Sequence, residues 1–75
     1  MPHPEYTLPR YAAAIIARSA SASKHLATWY GSGNSGEALS ALRRACTTLL
    51  ANGHDLEPDE RSSVALVLAD IEPLR

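Results

Sequence analysis

Phenylalanine is missing from this chain, and cysteine occurs once in its 75 residues, at Cys46. A lone thiol excludes an internal disulfide framework. Metal ligation is excluded on spacing, because His3, His25, His54 and Cys46 form neither an i, i+4 pair nor a C-x-x-C element. No apolar run approaches the ~20 residues that a membrane span requires. The N-terminus, MPHPEYTLPR, lacks a basic region followed by a hydrophobic one. Neither a transmembrane nor a secretory segment is therefore expected, and the expected compartment is the cytoplasm. A formal net charge of −1 and a pI near 6.2 leave no basic footprint, so nucleic acid is not an expected partner. A chain this short withdraws little apolar area from water. With disulfides and metals set aside, helix packing and self-association remain as its supports, in one domain over residues 1–75.

What is present is unevenly distributed. Up to Asn52, five cations (Arg10, Arg18, Lys24, Arg43 and Arg44) oppose two acids, a net +3; from Gly53 onward, two cations oppose six acids, a net −4. No strand-like alternation occurs, and the apolar spacing is helical. The spacing predicts a first helix from Pro9 to about Tyr30, with proline suited to the opening turn. At 100° per residue its inward face includes Tyr11, Ala12, Ile15, Ile16, Ala22, Leu26, Trp29 and Tyr30. In the middle of that face lie Ser19, Ala22 and Ser23, all small. The apolar phase is the same before and after them, so the reading is a continuous helix closely approached by another helix there.

The stretch GSGNSG marks a turn over 31–36, with Gly31 as the left-handed residue ending the first helix and Ser35 capping the next. A second helix follows from Gly36 to Asn52, with Leu39, Leu42, Cys46 and Leu49 in a 3-4-3 seam, Glu37 near its N-terminal dipole and Gly53 ending it. A connection this short makes the two helices an antiparallel hairpin. A third helix opens at Pro58, carries Asp59 and Glu60 in its first turn, and stops before Pro73, ending near Ile71. Its main face is Val64, Val67, Leu68 and Ile71, while Leu66 points the other way. The expected fold is all-α: a helical hairpin with a third short helix packed across it, a three-helix bundle.

Catalytic chemistry finds no foothold. Cys46 lies in the leucine seam, where a thiol acts as a small hydrophobe with a raised pKa, so its role, and that of Trp29 and Gly31, is structural. Asp55, Glu57, Asp59 and Glu60 read as a solvated capping cluster. GSGNSG lacks the lysine and preceding strand of a phosphate loop, and Ser35 precedes GEALSALRR, unlike the DSL of phosphopantetheine carriers. No cofactor is expected. Arg43 and Arg44, the one dibasic site, read as a solvated face, or as contact with an acidic partner surface or with phosphates.

Trp29, Tyr30 and Gly31 spell WYG between two amphipathic helices. From Leu26 to Leu50 the arrangement resembles the small secreted bacterial helical hairpins named for a Trp-X-Gly turn, and the resemblance implies export and pairing with a second subunit. The chain departs from that pattern in its short helices, in a third helix from Pro58, and in lacking a tyrosine-based export signal after the second helix. The expected function is non-enzymatic protein binding through helix faces, as an inhibitor, adaptor or antitoxin-like regulator; a phage-encoded inhibitor of a host defence complex is one instance. A homodimer or hetero-complex is expected, with Ser19, Ala22, Ser23 and Leu66, and secondarily Arg43 and Arg44, at the contact. The alternatives are the secreted Trp-X-Gly partner protein and nucleotide or nucleic-acid binding through Arg18, Lys24, Arg43 and Arg44.

Overall fold

The computed structural model describes residues 6–33, 35–52 and 56–74. The described elements are all helical: α1 (Arg10–Ala17), α2 (Ala20–Gly31), α3 (Ser35–Ala51) and α4 (Pro58–Ile71). Four helices stand where the sequence predicts three, because the first helix is interrupted at Arg18 and Ser19. Ser19 is extended (φ −95°, ψ 122°) and its hydroxyl accepts the Ala22 N–H at 3.3 Å. A serine at that spot supplies the cap that a new helix start needs, whereas in a helix interior its side chain competes with the backbone. The end of α1 tightens as well: the Arg18 and Ser19 N–H groups bond three residues back, to Ile15 and Ile16. Since the interruption consumes only two residues, Ala12, Ile15 and Ile16 before it and Ala22, Leu26 and Trp29 after it still face one core.

Helix boundaries elsewhere follow local chemistry. Pro9 is the N-cap of α1 (φ −61°, ψ 143°), one position outside the predicted start. α4 begins at Pro58 as its proline dictates, and Glu57 and Glu60 complete a capping box, the Glu57 N–H donating to Glu60 Oε1 at 3.1 Å. The turn predicted over 31–36 is shorter, since α2 runs through Gly31 and α3 starts at Ser35. No described glycine has a positive φ. Gly31 is therefore not the left-handed stop expected of it: it is the last residue of α2, and the C-cap is Ser32, with an ordinary extended backbone (φ −76°, ψ 137°). The Ser35 side chain as a cap, and Gly53 as the end of α3, lie outside the described residues.

One apolar cluster draws on all four helices. α2 and α3, joined by three residues, pack most extensively, bringing Leu26 and Trp29 against the seam of Leu39, Leu42, Cys46 and Leu49. Val64, Val67 and Ile71 of α4 close the cluster, with Leu68 half-buried beside them. Full burial of a side chain the size of Ile16, Leu42 or Ile71 stabilises by about 1.5–3 kcal/mol. A Cα radius of gyration of 11.2 Å is near the ~11 Å expected for a folded chain of this length.

Candidate functional site

α1 and α4 run antiparallel. Arg18, just past the end of α1, meets Glu60 in the first turn of α4, Nη2 to Oε2 at 2.8 Å. At the other end Tyr6, just before α1, lies within electrostatic reach of Asp70 in the last turn of α4. Glu60 thus uses both oxygens, one on the Glu57 N–H and one on Arg18. The backbone bond first, and the guanidinium bond second, hold its carboxyl below the ordinary carboxylate range.

Between these helices lies an open groove of about 350 Å³, with Tyr11, Ala14 and Arg18 on one wall and Asp59 and Ser63 on the other. The outward side of α1 exposes Arg10, Tyr11, Ala14, Ala17 and Arg18. That of α4 exposes Asp59, Ser62, Leu66, Ala69 and Asp70. The first stripe carries cations and no acid, the second acids and no cation. Arg61, the one base of α4, projects from a different side of that helix at 100° per residue. Large apolar surface also stands clear here, with Tyr11 58% and Leu66 61% exposed.

The chain matches no protein-family model, no curated protein and no solved structure.

The residues singled out in the sequence scatter. Ala22 is fully buried in the core, so it faces no partner. Ser19 and Ser23 are half-buried, the first at the cap and the second bonding the Ala20 carbonyl at 3.2 Å. Ser19 borders a second cleft with Leu49, Asn52 and Leu56, apart from Leu66. Arg18, Lys24, Arg43 and Arg44 do not converge. Arg18 is engaged by Glu60, whereas Arg44 lines a groove between α2 and α3 with His25, Thr28 and Glu37. Lys24 is exposed and Arg43 half-buried.

Trp29 is 1% exposed, its ring edge-on to Tyr6 with centroids 6.3 Å apart. WYG is the end of α2 itself, and the connection to α3 follows it. Tyr11 and Tyr30, phased inward in the sequence, are both exposed. The eight residues of α1 bury only Ala12, Ile15 and Ile16, and of the adjacent pair Trp29 and Tyr30 only one can enter the core.

Cys46 is buried, and desolvation pushes its thiol up to about 11, leaving it protonated at neutral pH. No group of three or more His, Cys, Asp or Glu side chains that could hold a metal occurs among the described residues, and no described helix is long and apolar enough to cross a membrane. Sequence reasoning missed Tyr6, whose hydroxyl is buried without a hydrogen-bond partner and whose pKa burial raises to about 12. An aromatic side chain one step before Thr7, Leu8 and Pro9 was the available signal, since a short segment leading into a helix readily folds back on the core.

Proposed function

We propose that this protein is a non-enzymatic, cytoplasmic protein-binding module that acts through the outward face of α1 and α4, as an inhibitor, adaptor or antitoxin-like regulator. The observation that carries this reading is Leu66. It stands 61% exposed in the middle of a helix whose opposite side is core, with the exposed Tyr11 on the neighbouring helix. Large apolar side chains grouped on a small surface mark interaction sites, and tyrosine and leucine there exchange water for partner atoms. The buried, protonated Cys46 and the capping role of Glu60 support a binding role over a catalytic one.

The test is capture from the native cell on the tagged chain, with Leu66→Glu as the matched control. A partner retained by the natural chain and lost by the variant, at equal helicity, supports the reading. A partner held equally by both overturns the assignment to this face. Binding to nucleic acid that weakens steeply with added salt would favour the basic residues instead.

A further inference from the structure

We infer that the outward face of α1 and α4 is a self-complementary docking surface whose occupant is a second copy of this chain, with α1 of each copy lying over α4 of the other. This rests on the protein-binding reading and narrows it to one partner.

The argument is the segregation of charge along an antiparallel pair of helices. Arg10 and Asp70 lie towards one end of the face, Arg18 and Asp59 towards the other. A two-fold axis parallel to the helices exchanges the two stripes without reversing the ends. It sets Arg10 of one copy opposite Asp70 of the other, Arg18 opposite Asp59, and Tyr11 opposite Leu66. Arg10 then meets an anion, Tyr11 and Leu66 meet each other, and Arg18, already bonded to Glu60 of its own chain, comes to lie over a further acid rather than a second cation. An axis perpendicular to the helices instead lays α1 on α1, cation against cation. Self-complementarity of this kind is what an isologous interface requires, and like charges brought together oppose association.

The footprint is small. The face spans roughly 20 Å along α4, roughly 12 Å along the eight residues of α1 and roughly 20 Å across the pair, under the ~500 Å² per copy of a stable specific interface, so the dimer expected is a weak, concentration-dependent one. Small side chains at Ala14, Ser62 and Ala69 leave room for the backbones to come close. The cleft beside Ser19 offers no comparable charge pattern among its described residues.

The test is sedimentation equilibrium of the full chain over a wide concentration range, with circular dichroism to follow folding. The natural chain should associate reversibly to a dimer. Leu66→Glu should be monomeric at unchanged helicity, since the side chain it replaces is exposed. Asp70→Arg should weaken the dimer by about tenfold or more, and adding Arg10→Asp to it should restore association by reversing both partners of the pair. That rescue is the decisive readout, because a merely structural effect of either change would not reverse. A dimer indifferent to Leu66→Glu, or a double variant no better than Asp70→Arg alone, overturns the inference. So does a natural chain that is monomeric throughout and melts lower on Leu66→Glu, which would mean that the chain covers Leu66 itself. A monomeric natural chain that loses a captured protein on Leu66→Glu overturns self-pairing and leaves the protein-binding reading standing.

Discussion

Along α2 and α3, large apolar side chains face one another: Leu26 and Trp29 from one helix, Leu39, Leu42 and Leu49 from the other, all buried. Along α1 and α4 the inner sides contribute Ile15, Ile16, Val64 and Ile71 to the same core, but the outer sides keep Tyr11 and Leu66 in water. There a surface ion pair, Arg18 to Glu60, ties the two helices together. The hairpin buries these side chains and leaves only Tyr30, at the end of α2, among its large described side chains in water, whereas the shorter α1–α4 pair leaves both Tyr11 and Leu66 there. In so short a chain that difference separates the stabilising region from the region available for contact.

The comparison can be broken most severely at Trp29. Trp29→Ala should lose roughly 3–5 kcal/mol, comparable to the whole stability of a domain this small, and a denaturation curve followed by circular dichroism would show it. A variant that stays as stable as the natural chain would mean that the hairpin does not carry the fold.

Next in size come three changes of about 1 kcal/mol. Cys46→Ala leaves a small cavity in the seam and should destabilise by that amount, while a thiol reagent should label natural Cys46 slowly without denaturant and fast with it. Ser19→Ala removes the α2 cap and should cost about as much. A gain in helicity and stability there would show that the interruption is not set by the cap. Tyr6→Phe should stabilise by about 1 kcal/mol, because it removes a buried hydroxyl that has no partner.

Smaller still is the effect at Glu60. Its folded pKa is depressed, so its contribution is present above the unfolded value of about 4.3 and is lost as pH falls through the lower folded value. Glu60→Gln should flatten that acid limb of the stability profile and change little at neutral pH, as an exposed pair is weak in water. Lys24→Ala, on an exposed position of α2, should alter neither stability nor association.

Much of this organisation was legible in the residues. Proline and acids fixed the start of α4, and the 3-4-3 spacing located the α3 seam with Cys46 inside it. The interruption at Ser19 was hidden because a two-residue break left the apolar phase of the two halves aligned on one core, so periodicity alone could not register it. Gly31 differs in the opposite sense: a glycine suggests a left-handed stop, yet it stays helical and α2 ends on extended Ser32. The candidate face was half visible. Leu66 stands out by phase, but the same helical phase places its companion Tyr11 inward, and the Arg18–Glu60 bond joins residues 42 apart in the chain. Which charged side chains become neighbours at that separation is decided by helix packing, and local spacing carries no record of it.

The contact between Tyr6 and Trp29 also makes the protein its own optical gauge. Its single tryptophan is enclosed by the core, so its emission should be blue-shifted relative to the free amino acid, and a tyrosine ring 6.3 Å away is placed to pass excitation energy to it. Lifting of the segment before α1 would dim that transfer while the helices stay intact, whereas global unfolding would both dim it and redden the emission. An event to which circular dichroism is blind thereby becomes visible without attaching any dye.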